Sequence, residues 1–416
     1  MKFWNQYNRI KQYMLPILKL SVLSALMGVI GGLVGAGFHY VLQLVTGVRQ
    51  SQNWLVFLLP IGGLLTVFLY RLFKLQSNRG TDEIIGSVLD NKFVSPLIAP
   101  AVFLATAITH LLGGSAGREG AALQIGGSIA SLFDKIFRLK EEERTVIIIC
   151  GMSAVFSGLF CMPLTSCIFT LEFESVGTIL SPALLPCFIS ALLASKVSLA
   201  LGVHATSVIQ HKAVTLTFQN TWRILALTVL VSLLGIIVCY VFHKAEHLAH
   251  RWLERPYVRI VVGAVIIVFL TLLVGNQRFN GAGMEMALDA VNGRAKWYSF
   301  LLKILFTTVT LAAGFKGGEI VPVFCIGATF GCVAGGILGL DLGFAAALGL
   351  VGLFCCATNS PLASIALSIE MFGGMNLYVF VLVCVITFVL SGNGGLYAGQ
   401  IIEFSKSSIT RSKRYM

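Results

Sequence analysis

The sequence predicts an all-α protein that crosses a membrane many times and is built from two related halves. Three observations carry this. Of the 416 residues, 56% are hydrophobic and only 12% charged, about half the roughly 25% charged expected of a soluble domain. The apolar residues gather into stretches near 14–46, 54–73, 95–113, 145–171, 178–203, 222–243, 257–275, 298–315, 320–340, 343–371 and 374–391, and a membrane span needs roughly 20 such residues. The chain also repeats itself. Pro163-Leu164-Thr165-Ser166 runs on to Glu172 as Pro361-Leu362-Ala363-Ser364 runs on to Glu370, at an offset of 361 − 163 = 198. Upstream, Gly117-Arg118-Glu119-Gly120-Ala121 precedes Ile125-Gly126 as Gly318-Glu319-Ile320-Val321-Pro322 precedes Ile326-Gly327, at 318 − 117 = 201.

Taken in order, the first stretch is too long for a secretory leader, and no small-residue cleavage site leads from it into a polar mature sequence, so it reads as a retained helix. The first half spans about 14–203 and the second about 221–400, joined in the polar run His204 to Asn220 that holds His211 and Lys212. The polar run Gly275 to Lys296 answers Leu75 to Lys92, with Gly283 and Gly80 ahead of the two glycine motifs by 35 and 37 residues (318 − 283 and 117 − 80). One transmembrane unit over 1–416 is expected, with no separate cytoplasmic domain. Several stretches are too short or too glycine-punctuated for ordinary spans, and the 43 glycines exceed the average usage of about 7%. Duplicated halves with glycine-broken apolar segments at matching positions are the mark of a membrane transporter whose site lies between the repeats at the midplane.

The net charge of +12 would suit nucleic acid, but its placement points to a membrane. Lys2, Arg9, Lys11 and Lys19 lie before or at the start of the first apolar stretch, and Lys406, Arg411, Lys413 and Arg414 follow the last. By the positive-inside rule both termini face the cytoplasm, which requires an even number of crossings. The loop from Lys135 to Arg144 reads as cytoplasmic too. All ten cysteines lie in or beside apolar stretches without CxxC spacing and read as small buried hydrophobes. No metal-spaced cluster and no GxSxG turn is present, so neither a cofactor nor enzyme chemistry is expected.

The chemistry concentrates in Gly113 to Gly120, which sets Glu119 in a glycine turn at the start of a helix. Exposed N–H groups and the positive helix end there attract an anion. A carboxylate can fill that place itself and leave when protonated, which couples anion entry to a proton; the plainer reading is that Glu119 caps its helix and pairs with Arg118. An ionisable side chain at membrane depth is a functional candidate. His110 reads as a packing residue. Glu172 and Glu370, equivalent in the two halves, read as caps of buried backbone ends.

Gly117-Arg118-Glu119-Gly120-Ala121 followed by Gln124-Ile125-Gly126-Gly127 resembles the GREGP-type motif of the CLC family of chloride channels and proton-coupled anion antiporters. Gly318 to Pro322 is similar to that family's GxFxP motif, and Gly394-Gly395-Leu396-Tyr397 to the stretch that supplies its anion-coordinating tyrosine. These landmarks cover about residues 75 to 400. The resemblance implies a multi-pass cell-membrane homodimer with one anion pathway per subunit and inverted halves joined by broken and re-entrant helices. It assigns Glu119 as the gating glutamate, Tyr397 as the inner hydroxyl, and Gly117, Arg118, Gly120, Ala121, Ile320 and Val321 as the backbone lining of the anion path.

Departures narrow the subtype. Chloride-handling members carry a GSGxP motif where this chain reads Arg79-Gly80-Thr81-Asp82-Glu83, which places Gly80 and Thr81 at the anion. Phe315-Lys316-Gly317-Gly318-Glu319 is similar to the GGE signature of the bacterial fluoride-exporting branch, which also lacks the second, internal proton glutamate; here that position is Phe173. A second carboxylate, Glu319, beside Glu119 lets the pair hold a proton between them, and Lys316 either neutralises Glu319 or draws anions into a vestibule. Glu174 could replace the missing internal proton acceptor, but its spacing beyond Glu172 favours a charge at the membrane interface. The branch usually has Met or Asn at the place of Thr81 and threonine at those of Ala121 and Val321. The expected activity is fluoride export in exchange for protons, with chloride/proton exchange or a passive chloride channel as the alternatives.

Overall fold

A computed structural model describes residues 2–75, 80–89, 93–205, 217–404, 406 and 411–415; Arg79, His211 and Lys212 lie outside them. The described helices form two sets of eight in the same order. The first is α1 (Lys2–Ser51), α2 (Leu59–Leu72), α3 (Thr81–Leu89), α4 (Ile98–Leu112), α5 (Glu119–Phe137), α6 (Glu141–Phe160), α7 (Pro163–Glu172) and α8 (Leu184–Ala200). The second is α9 (Phe218–Trp252), α10 (Pro256–Val274), α11 (Met284–Val291), α12 (Ser299–Ala313), α13 (Ile320–Ile337), α14 (Leu342–Thr358), α15 (Pro361–Phe372) and α16 (Leu377–Leu390).

Both halves break the chain by the same local devices. The apolar stretches 145–171 and 343–371 are each two helices. Cys161 and Asn359 sit in the left-handed region, at φ 56° and 57°, and Pro163 and Pro361 open the next helix at its first turn, where a missing N–H costs nothing. Gly113 and Gly314, at φ 88° and 97°, end α4 and α12 in the conformation that most favours glycine. The ten-residue α7 and twelve-residue α15 are far short of a span. Among the described residues, seven helical segments are long and apolar enough to cross a membrane, Leu15–Ser51 and Ile320–Ile337 among them.

The core is α6 and α14, buried on every side from Val146 to Phe160 and from Phe344 to Thr358, as expected of helices apolar all round. α5 packs on α6 and α13 on α14 so closely that a methyl group on Gly126 would overlap the Gly151 carbonyl, and one on Gly327 that of Gly349. Around this core α1 and α10 expose apolar rows, including Leu18, Val22 and Leu33 on the one and Phe269 and Leu273 on the other. Lipid suits such faces, because helices satisfy their own backbone groups.

The halves clasp each other across α7 and α15. Glu172 accepts N–H bonds from Leu362 and Ala363 at 3.1 and 2.7 Å, and Glu370 accepts them from Leu164 and Thr165 at 2.8 Å each. The last carboxylate of each short helix thus caps the first turn of the other. Reciprocal contacts of this kind mark a two-fold relation between the halves. The helical reading of the sequence holds with one addition, a three-stranded sheet of β1 (Ser175–Val176), β2 (Ile401–Phe404) and β3 (Arg411–Tyr415). Its strands, of two, four and five residues, are too short to show a periodic signal.

Candidate functional site

The glycine motifs of the two halves meet. Gly117 and Gly318 exchange backbone bonds, N–H of 117 to O of 318 at 2.6 Å and N–H of 318 to O of 117 at 2.9 Å, an isolated antiparallel bridge beside the N-termini of α5 and α13. Helix N-termini carry unpaired N–H groups and a partial positive charge, so this junction favours negative charge. Glu119, the first residue of α5, is fully buried there. Its Oε2 accepts the Arg118 N–H at 3.0 Å while Oε1 has no partner. A methyl group on either Gly117 or Gly318 would overlap this carboxylate, which is why both positions are glycine.

Around the junction lie three further polar groups. Thr81 opens α3, and its hydroxyl would sit 2.9 Å from a Cβ placed on Gly120. Glu319 is half-buried, with Oε2 unpartnered, and is close enough to Glu119 and Asp82 to act on them through space. The Tyr397 hydroxyl is buried and also without a partner. Its ring stands edge-on to Phe173 at 4.6 Å. The loop carrying Tyr397 is held on both sides, by Leu396 N–H to the Ala357 carbonyl at 2.7 Å, by Gly399 N–H to Asp82 at 3.1 Å, and by the Gln400 amide to the carbonyls of Phe173 and Thr358 at 3.0 Å each.

A cavity opens on either side. One, of about 880 Å³, is lined by His39, Arg49, His110, Arg118 and Val321. The other, of about 730 Å³, is lined by Tyr70, Gly80, Thr81, Lys316, Glu319 and Tyr397. They lie at opposite ends of the helical body. α1 begins at the end where Lys19 pairs with Glu143 at 2.7 Å and finishes at the wall of the first cavity, while α2 runs back to present Tyr70 to the second.

The structure thus separates the residues singled out in the sequence. Gly117, Glu119, Gly120 and Thr81 meet at the junction, Ala121 and Ile320 are buried behind it, Arg118 and Val321 face the first cavity, and Gly80, Glu319 and Tyr397 face the second. Arg118 makes no ion pair with Glu119; its guanidinium lies 3.5 Å from His39 Nδ1 and over the Phe160 ring. Lys316 lines the second cavity, 4.6 Å above the Tyr70 ring. His110 packs with Nε2 3.2 Å from the Gly117 carbonyl. The ten cysteines are free and buried. Glu174 corrects the sequence reading: it is buried, with Oε1 unpartnered, because the chain after α7 turns inward and pairs its carbonyl with Ile401 at 3.2 Å. Sequence reasoning missed Arg49 and Lys303; a basic residue closing the first apolar stretch was the one available signal for Arg49.

Two polar cavities closing on facing helix N-termini, inside a body with a lipid-facing apolar surface, define an integral membrane protein that transports anions. A family described as voltage gated chloride channel matches residues 62–392. The chain is 32% identical, over 94% of its length and 88% of the relative's, to the chloride/fluoride channel protein of Pseudomonas syringae pv. tomato. It is 25% identical to the H(+)/Cl(-) exchange transporter ClcA of Vibrio campbellii, over 88% of this chain and 84% of that one. Among solved structures, a CLC-type fluoride/proton antiporter matches with a TM-score of 0.89 at 32% identity, covering 92% of this chain and 98% of that one. A slow cyanobacterial Cl-/H+ antiporter shares the fold, with a TM-score of 0.76 at 20% identity over 89% and 94% of the two chains. The chain belongs to the CLC family.

Proposed function

We propose that this CLC protein exports fluoride in exchange for protons. The observation that carries the reading is the convergence of three unpartnered polar groups, Glu119 Oε1, Glu319 Oε2 and the Tyr397 hydroxyl, between two cavities at opposite ends of the body. Glu119 occupies the anion place at the α5 N-terminus when ionised and vacates it when protonated. A protonated Glu319 is a hydrogen-bond donor to an anion arriving from the second cavity, where an aliphatic side chain would offer none. Fluoride is small and strongly hydrated, so a path rich in donors suits it. The solved structure 32% identical to this chain is described as a fluoride/proton antiporter, which supports the same choice, while the relative of equal identity is described as a chloride/fluoride channel protein.

With both termini cytoplasmic, the cavity at the end of α1 faces outward and the Tyr397 cavity inward. Phe173, edge-on to Tyr397, offers no proton acceptor, which leaves the inner proton route to Glu319 or to the buried Glu174, whose Oε1 is also unpartnered. Two subunits, each with its own pathway, form the working homodimer in the cell membrane, and a monomer-sized particle after cross-linking in bilayers would refute that assembly.

The competing ion is chloride, favoured by the Thr81 hydroxyl beside Gly120 at the place where chloride-handling relatives carry serine. Efflux from liposomes loaded separately with fluoride and chloride, with external pH recorded, decides between them. Faster fluoride efflux with proton uptake supports the proposal; faster chloride efflux, or efflux without proton movement, gives the alternatives.

A further inference from the structure

We propose that the outward cavity holds a second anion-binding site, on the guanidinium of Arg49, where a small monovalent anion docks before it reaches the Glu119 junction. This rests on the transport reading above. Arg49 lies in the last turn of α1 and is 95% buried at 5% exposure, yet its Nε and Nη1 have no hydrogen-bond partner. A buried guanidinium without acceptors is costly, and it lines the cavity that leads to Arg118 and Val321.

Its surroundings are built to keep it there. Gly281, at φ 73°, lies against the guanidinium, and a Cβ at that position would come within 2.7 Å of Nη1. The fully buried Lys303 holds this turn by donating to the carbonyls of Gly281 at 2.6 Å and Phe279 at 3.3 Å, and to Ser115 Oγ at 2.9 Å. Gly281 N–H bonds the Gly114 carbonyl at 3.0 Å, and the Asn280 amide bonds that of Gly113 at 2.7 Å. The cradle is therefore fastened to the same loop that runs on to Gly117.

The local charge favours an anion. Arg49, Arg118 and Lys303 all stand close enough to His110 to act on it through space. The carboxylate that acts on Arg49 through space is that of Glu285, which is exposed, takes its hydrogen bond from Gln50 at 3.2 Å, and forms no ion pair with Arg49 among the described residues. Nε and Nη1 lie on either side of Nη2, so a single anion takes one of these two unpartnered donors together with Nη2, along one edge of the guanidinium.

The test measures initial uptake into liposomes against external fluoride, and separately chloride, for the full chain, Arg49→Gln and Arg49→Lys. The half-saturating concentration rises about tenfold in Arg49→Gln, the loss expected for one hydrogen-bonded charge, while the maximal rate stays within about twofold of wild type. Arg49→Lys recovers much of the affinity, and an impermeant salt that raises ionic strength narrows the difference. A half-saturating concentration unchanged in Arg49→Gln overturns the site while leaving the transport reading intact. If wild type moves neither anion, the transport reading fails, and calorimetric titration of the same purified proteins with sodium fluoride and sodium chloride judges the site. One fewer binding equivalent in Arg49→Gln upholds it, and identical isotherms overturn it. Should Arg49→Gln fail to fold, Arg49→Lys carries both measurements, with weaker binding expected and wild-type binding refuting the fork.

Discussion

The N-terminus of α5 and that of α13 are copies of one another with opposite charge. Under the offset of 201, Gly117 answers Gly318, Arg118 answers Glu319, and Glu119 answers Ile320. The residue just before each helix is therefore a cation in the first half and a carboxylate in the second. The two-fold relation sends them to opposite cavities, Arg118 to the first and Glu319 to the second. The next residue is a buried carboxylate in one half and an aliphatic side chain in the other. Symmetry of backbone provides two facing N-termini, and asymmetry of side chains makes their surroundings differ: Arg118 on the first cavity, the buried Glu119 at the junction, and Glu319 on the second cavity.

Removing the carboxylate at the crossing has the largest expected effect. Glu119→Gln keeps the shape but cannot release a proton, so fluoride transport driven uphill by a proton gradient falls by at least about 100-fold, in line with losing a positioned acid–base group. Uphill transport by this variant would remove the gating role. Glu319→Ala tests the second half's copy. Fluoride flux drops about tenfold or more, the scale of one lost hydrogen bond to a charged partner, while the elution of the purified protein in size-exclusion chromatography is unchanged. Full fluoride flux from it would assign Glu319 to shaping the vestibule alone.

The clasp between the halves is the symmetric counterpart, and its two members respond alike. Glu172→Ala and Glu370→Ala each leave two N–H groups without their acceptor, about 1–3 kcal/mol apiece, and both variants melt at similarly lowered temperatures in detergent. A loss in one variant only would show that the caps are not equivalent. The smallest effect belongs to Thr81→Ala, which removes a neutral hydroxyl worth about 0.5–1.5 kcal/mol. Anion affinity weakens by up to about tenfold, and a larger loss for chloride than for fluoride, read by parallel efflux assays, would strengthen the chloride alternative.

The fold was legible where the signal was local. Apolar runs marked the long helices, and the glycine motifs marked where α5 and α13 begin. The splits at Cys161 and Asn359 were harder to read, because Cys161 is no usual breaker, Asn359 is a weaker one than glycine, and the prolines two positions on are the clearer sign. The short α3 and α11, of nine and eight residues, carried no apolar run long enough to mark them. At the junction, Glu119, Glu319, Thr81 and Tyr397 were found from motifs. Their division between two cavities depends on the bridge of Gly117 to Gly318, a pairing 201 residues apart that no local pattern encodes. The same holds for Glu172 and Glu370, whose capping role was readable although the partner each one caps was not. Glu174 and Arg49 owe their burial to elements packed around them from elsewhere in the chain.

The reciprocal clasp also bears on how the molecule is made. Synthesis proceeds from the N-terminus, so the amides of Leu164 and Thr165 emerge 206 and 205 residues before Glu370. Until then the first turn of α7 has no carboxylate to close it, and the growing first half waits in the bilayer with exposed polar backbone, which lipid penalises heavily. Glu172, already in place, receives Leu362 and Ala363 as soon as they arrive. Assembly is therefore finished by the last quarter of the polypeptide, and a nascent chain arrested before residue 361 would be a substrate for membrane quality control rather than a stable half-transporter.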